Sequence, residues 1–266
     1  MKRIAVLQSN YIPWKGYFDI IAAVDEFVLY DCAQYTKNDW RNRNQIKTPR
    51  GKSWLTIPVR QRQLGQTIAE TEIADPSCFR RHWDAFRQAY ARSPHFRDCA
   101  QLLEDLFLGP PPSMLSEANE RLLRRICAAL GVATPITQAD DYRPEGDRNE
   151  RLLDLCRKAG ATHYLSGPAA RAYLDEERFL EAGILVEWMD YRGYPEYPQP
   201  YPPFDHAVSI LDLLACAGPT APALLLHAQR KNDVPERQHR RPGLQERSHP
   251  GHPVLSPEGG LVDAGQ

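Results

Sequence analysis

A chain of 266 residues with 42% hydrophobic and 25% charged residues has ordinary globular composition, enough for one large domain or two modest ones. A formal net charge of −1 excludes a global field that would draw it onto nucleic acid or an acidic membrane surface. No apolar run reaches the roughly 18 residues that span a bilayer, and MKRIAVLQSNYIP reads as a first strand rather than a signal peptide, so the expected location is the cytoplasm.

Residues 3–7 (RIAVL) form a short apolar run suited to a buried strand. A polar turn follows, and then YFDIIAAV (17–24) has the helical spacing of Phe18, Ile21 and Val24. FVLYD (27–31) is a second apolar strand. Strand, loop, helix, strand is the order of a parallel βαβ unit, which places the loop 8–16 at the carboxyl edge of the sheet, where open α/β sheets bind ligands. Residues 32–52 are polar and basic, and SWLTIPV (53–59) is expected as the third strand. Residues 79–107 are helical, with Trp83, Phe86 and Tyr90 on one stripe and Pro94 breaking the run in two. A further amphipathic helix covers 115–131. ATPITQADDY (133–142) is strand and loop, and NERLLDLCRKAG (149–160) is a helix stopped by Gly160. THYLSGPAARAYLD (162–175) is strand, loop and helix start, ILVEWMDY (184–191) a late strand, and HAVSILDLLACAG (206–218) a last helix.

These elements predict an α/β fold of Rossmann-like, three-layer type with a mostly parallel sheet and a helical middle segment. In domain terms, 1–75 is an N-terminal α/β half carrying most of the site, 76–132 the helical segment and 133–226 the second α/β half of the same domain. Residues 227–266 lack aromatics and periodicity and read as a disordered tail whose His239, His249 and His252 are solvated. The six cysteines are scattered, which predicts small buried side chains in a reducing compartment and neither a zinc site nor a disulfide framework.

Three segments carry candidate chemistry. In the first, Gln8, Ser9 and Asn10 offer amide and hydroxyl groups directly after a buried strand. Tyr11, Trp14, Tyr17 and Phe18 offer flat surfaces for a sugar or base, Lys15 suits a phosphate, and Gly16 lets a backbone approach a ligand. The second, DCAQYTKNDWRNRNQIKT (31–48), closes a strand with Asp31. It then gathers Gln34, Tyr35, Lys37, Arg41, Asn42, Arg43, Asn44 and Lys47, a dense donor set for phosphate or carboxylate. In the third, Ser166, Gly167 and Pro168 open a helix as an anion nest, with Arg171 facing the same cleft. The Tyr/Pro-rich loop 191–204 reads as packing against the surface, and His163 and His206 as isolated. There is no Ser-His-Asp order, Walker loop or GxGxxG.

QSNYIPWKGYF, DEFVLYDCAQYTKNDWRNRNQIK and WLTIPV together resemble the WbqC-like family, and THYLSGPAARAYLD and YPQPYPPFDHAVSILDLL fit the same pattern. The resemblance covers about 3–218. It implies a setting in surface-polysaccharide or natural-product biosynthesis, and an acyl transfer, glycyl among the options, to the amine of an amino sugar. Ser9 stands where the pattern often has Pro and Cys32 where it often has a second Asp, so the resemblance implies no paired-carboxylate metal site here. A more distant likeness joins Lys15-Gly16-Tyr17 and SGPAAR to the phosphate loops of nucleotidylyltransferase-type Rossmann domains, though the paired histidines common in those enzymes are missing. The expected function is therefore a transferase or ligase acylating an amine, using ATP or an acyl thioester. Asp31, Lys37 and Arg43 are the catalytic candidates, the substrate is a sugar nucleotide or amine, and a carrier protein is an optional partner. A nucleotidyl-transferring enzyme and a non-catalytic sugar-nucleotide-binding protein stay open as alternatives.

Overall fold

The structure, a computed structural model, describes residues 1–227. The tail expected from 227 onward, with its three histidines, lies outside the described residues apart from His227 itself.

In chain order the elements are β1 (Arg3–Leu7), α1 (Lys15–Ala22), β2 (Glu26–Leu29), β3 (Arg43–Thr48), β4 (Gly51–Thr56), β5 (Val59–Arg60) and β6 (Glu72–Ile73). The helices α2 (Cys78–Tyr90), α3 (Phe96–Leu108) and α4 (Leu115–Ala129) follow. Then come β7 (Ile136–Gln138), α5 (Ala139–Tyr142), α6 (Arg148–Lys158), β8 (His163–Ser166), α7 (Glu176–Glu181), β9 (Leu185–Trp188) and α8 (Ile210–Ala217), with short 3-10 helices at Pro168–Ala172 and Gly218–Leu224.

Five strands form one sheet in the order β7-β2-β1-β8-β9, and every pairing in it is parallel. Both faces are covered, as a parallel sheet requires. Alternation sorts the strands between two cores. Ala5, Phe27 and Leu29 face α1, α4 and α8, with Phe18, Ile20, Leu123, Ile126 and Leu211 in the same cluster. Ile4, Val6 and Val28 face the other way, toward Leu155 and Cys156 of α6 and Phe179 of α7. Each of these large apolar side chains contributes about 1.5–3 kcal/mol by leaving water. The fold is thus the expected Rossmann-like α/β arrangement, three layers deep. Helices α2 and α3 pack into the first of the two cores.

One strand is misplaced by the sequence reading. SWLTIPV does not join the sheet. Residues 51–56 pair antiparallel with 43–48 as a separate hairpin, Arg43 beside Thr56 and Thr48 beside Gly51. The reason is one-sided burial: Trp54 is exposed while Leu55 is buried, and such alternation suits a hairpin with a solvent face rather than a strand covered on both faces. The third strand on that side of the sheet is β7, which follows the helical segment.

The chain leaves β1 first toward β2 and β7, then returns to its other side for β8 and β9. The crevice at such a reversal lies outside the carboxyl end of the central strand. Gln8 follows β1 there, Asp31 lies just beyond β2 and Gly167 follows β8.

Candidate functional site

The first two candidate segments meet at this edge. Asp31 is 3% exposed, and its Oδ1 accepts the Ser9 backbone N–H at 2.8 Å. Its Oδ2 is buried with no hydrogen-bond partner among the described residues. Burial pushes the Asp31 carboxyl above its ordinary value, while Ser9 and the Arg41 guanidinium pull it the other way. Arg41, itself buried, donates to Asn10 Oδ1 and lies 3.5 Å from Asp39. Asn44 Nδ2 donates to the Tyr11 carbonyl at 3.2 Å, and Tyr11 N–H to the Trp40 carbonyl at 2.9 Å. Asn42 Nδ2 donates to the Ile57 carbonyl at 2.8 Å. Arg43 lies with its guanidinium carbon 4.2 Å from the Trp54 ring centroid and donates to the Asn38 carbonyl.

A residue that sequence reasoning missed ties these together. Asn119, fully buried on α4, donates to Ser9 Oγ at 3.0 Å and to the Arg41 carbonyl at 2.9 Å. In sequence it is one polar residue within the amphipathic helix 115–131. A polar side chain on the apolar stripe of that helix, which Leu115, Leu122 and Ile126 define, was the available signal.

Buried polar atoms are nearly always hydrogen-bonded. Six buried side-chain atoms lack a hydrogen-bond partner among the described residues; three of them, Asp31 Oδ2, Arg41 Nε and Asn119 Oδ1, belong to residues linked through Ser9 and the Arg41 carbonyl, and Asn42 Oδ1 and Arg43 Nε lie on the two residues that follow Arg41. The turn beneath them is strained. Ile12, β-branched and fully buried, has φ 37°, a conformation costing roughly 1–3 kcal/mol. It is held because its carbonyl accepts Ser209 Oγ–H at 2.8 Å while Pro13 accepts Ile210 N–H at 2.9 Å.

Several candidate residues prove to be framework. Tyr11 is wholly buried, its hydroxyl hydrogen-bonded with His82 Nδ1 at 2.8 Å, so its ring presents no stacking face. Tyr17, also buried, donates to the Gln8 carbonyl at 2.8 Å, and the Gln8 residue is half-buried. Gly16 is small for an internal reason: a Cβ there would meet the Trp14 indole at 2.3 Å, so the space admits Trp14 and not a ligand backbone. Trp14 in turn packs edge-on against Tyr191 and Tyr194, at 5.0 and 5.8 Å between ring centroids. Tyr35 is buried and Gln34 bridges in strand fashion to Thr67.

Lys15 is not placed for phosphate. It is 3% exposed, with Nζ 2.7 Å from His206 Nδ1 and 4.7, 5.2 and 5.6 Å from the ring centroids of Tyr194, Tyr197 and Phe204. Burial lowers its pKa to about 8 against the pull of Asp212, Asp19 and Glu196. His206 is therefore not isolated, and the Tyr/Pro loop forms a cage around the amine. Lys47 pins the same loop, donating to Gln199 Oε1 at 2.8 Å and to the Pro203 carbonyl at 2.6 Å.

Lys37 is exposed in the loop before Arg41. Of the third segment, Ser166 is buried and Gly167 lies against Tyr191. Arg171 is exposed and rests over the Trp188 ring of β9 at 5.2 Å. Among the described residues no group of three His, Cys, Asp or Glu could hold a metal ion, all six cysteines are unpaired, and no helix is long and apolar enough to cross a membrane. Asn10, Arg41, Ser9, Asn119 and Asp31 are thus brought together at the carboxyl edge of the sheet.

A model of the WbqC-like protein family matches residues 8–223. The chain is similar to "Uncharacterized protein Rv1507c" of Mycobacterium tuberculosis (strain ATCC 25618 / H37Rv), 47% identical over 231 residues, which is 86% of this chain and 100% of that protein. No solved structure matches the chain significantly.

Proposed function

Since the chain belongs to the WbqC-like protein family, we propose that it is a transferase or ligase acylating the amine of an amino sugar or related small metabolite, with Asp31 as general base. The supporting observation is the buried, unpartnered Oδ2 of Asp31 just beyond β2, linked through Ser9 to Asn119 and Arg41, each of which also keeps an unpartnered buried atom. An amine must lose a proton as it becomes an amide. A buried carboxylate raised above its ordinary value is a stronger base than an exposed one. In the proposed step the amine nitrogen bonds to the acyl carbon of a thioester or acyl phosphate. The carbon–sulfur or carbon–oxygen bond breaks with its electron pair leaving on the donor, and the surplus proton passes to Asp31 Oδ2. Asn10, Arg41 and Arg43 bind the donor's anionic group, Arg offering a planar fork for phosphate or carboxylate. A glycyl group and a carrier protein fit this scheme as donor and partner.

The test supplies glucosamine with acetyl or glycyl thioesters, or with ATP and glycine, and follows amide formation by mass spectrometry. Amide product that is lost in Asp31→Asn supports the reading. Pyrophosphate release without amide would instead indicate nucleotidyl transfer. Thermal stabilisation by sugar nucleotides with no turnover would indicate a binding protein.

A further inference from the structure

A cavity of about 250 Å³ opens between the carboxyl ends of β2 and β7. Its polar lining comprises Asp31, Cys32, Ser116, Gln138, Asp140 and Asp141, and Leu29, Ala69 and Ala139 complete it. Three carboxylates and no Lys, Arg or His line it, so its potential favours a cation. Acidic residues at a helix start often only serve the helix, and Asp141 does so here, accepting the Gln138 N–H at 3.0 Å in a capping box. Asp31 is different. It lies outside that helix, is almost wholly buried, lines the cavity, and keeps one carboxylate oxygen without a partner among the described residues. Gln138 carries no charge to neutralise the pocket, and its Nε2 donates to Glu120 at 2.7 Å. The amino end of α4 at Ser116 brings a positive dipole, offset by Glu117 in the same turn.

We infer that this cavity is the acceptor subsite and takes a primary ammonium carried on a small polyhydroxylated ring, with Asp140 as the specificity-determining residue. This rests on the acylation reading and divides its site in two. The amine approaches Asp31 from the β7 side, and the anionic donor approaches from the Asn10–Arg41–Arg43 side. The size of the cavity suits a ring rather than a bare ion. The carboxylates also do not converge as metal ligands: no three acidic, His or Cys side chains among the described residues are so grouped. Asp140 is exposed at the cavity rim and holds the cation by charge. Asp31 pairs with it; the ammonium gives up one proton to solvent at the open mouth of the cavity before it attacks, and Asp31 takes the second as the amide forms.

Binding of glucosamine, glucose and N-acetylglucosamine is measured by ligand-observed NMR on the full chain, wild type and variants. Glucosamine is expected to bind, and the two sugars without a cationic amine at least about tenfold more weakly. Asp140→Asn should weaken glucosamine by about tenfold, whereas Glu104→Gln, an exposed change on α3, should leave it unchanged. Equal binding of all three sugars, no binding of glucosamine, or equal effects of Asp140→Asn and Glu104→Gln would each overturn the subsite. If amide still forms in those cases, the acylation reading survives without this cavity. If no amine is acylated at all while glucosamine binds as described, the subsite stands and the reaction assignment falls.

Discussion

Asp31 and Asp212 are both buried carboxylates, and burial raises both above their ordinary values. Their surroundings differ. Asp212 on α8 accepts Tyr90 Oη–H on Oδ2 at 2.7 Å, and Tyr197 Oη–H and Gln199 Nε2–H on Oδ1 at 2.6 and 2.7 Å. Through Gln199 it also fixes the loop that cages Lys15. Asp31 has one oxygen bound and the other unpartnered beside a cavity. A buried charge with three donors is framework, because the donors replace the water it lost. A buried charge left half-solvated destabilises the fold and persists where something else depends on it. Depth is alike in the two; the count of donors is what differs.

The comparison breaks most visibly at Asp31. Asp31→Asn keeps the acceptor for Ser9 N–H but removes the base, and acyl transfer is expected to fall by at least about 100-fold. Steady-state amide formation at saturating amine measures it. Next in size is Asp212→Ala, which strands three donors and loosens the Tyr/Pro-rich loop 191–204. It should cost roughly 3 kcal/mol, or about 6–12 °C in melting temperature, read by circular dichroism. Asn119→Ala should fall between framework and function. Losing its bonds to Ser9 and Arg41 shifts two walls of the site, so kcat should drop about tenfold with KM for the amine little changed. A uniform loss of folded protein instead would make Asn119 structural. Arg171→Ala should do least: activity unchanged and stability within about 0.5 kcal/mol, since that side chain is exposed and its ring contact is with Trp188.

Much of the frame is legible in the sequence because it is local. RIAVL, the Phe18–Ile21 spacing and FVLYD specify strand, helix and strand by periodicity alone, and their order fixes the edge where Asp31 lies. The helices of the middle segment are legible for the same reason. What escaped depends on contacts between distant parts of the chain. SWLTIPV looks like a strand of the main sheet until its partner, 43–48, makes it a hairpin arm with Trp54 on the face in water. Lys15 looks like a phosphate ligand until His206 and the rings of Tyr194, Tyr197 and Phe204 arrive from the far end of the chain. Gly16 looks like a ligand cradle until the Trp14 ring fills the space above it. Aromatic and amide-rich turns after buried strands serve both core and site, and only tertiary packing divides the two.

Asp31→Asn tests the central claim most directly when stability and turnover are read on one sample across pH. The raised native pKa of Asp31 means that protons favour the folded state. Its unfavourable contribution is therefore absent below the ordinary carboxylate range, grows as pH rises from there through the raised native value, and is constant above it. The account predicts a variant that melts with the wild type in acid, melts higher than the wild type near neutral pH, and forms no amide. A variant that melts lower near neutral pH and still forms amide would show that Asp31 is framework like Asp212.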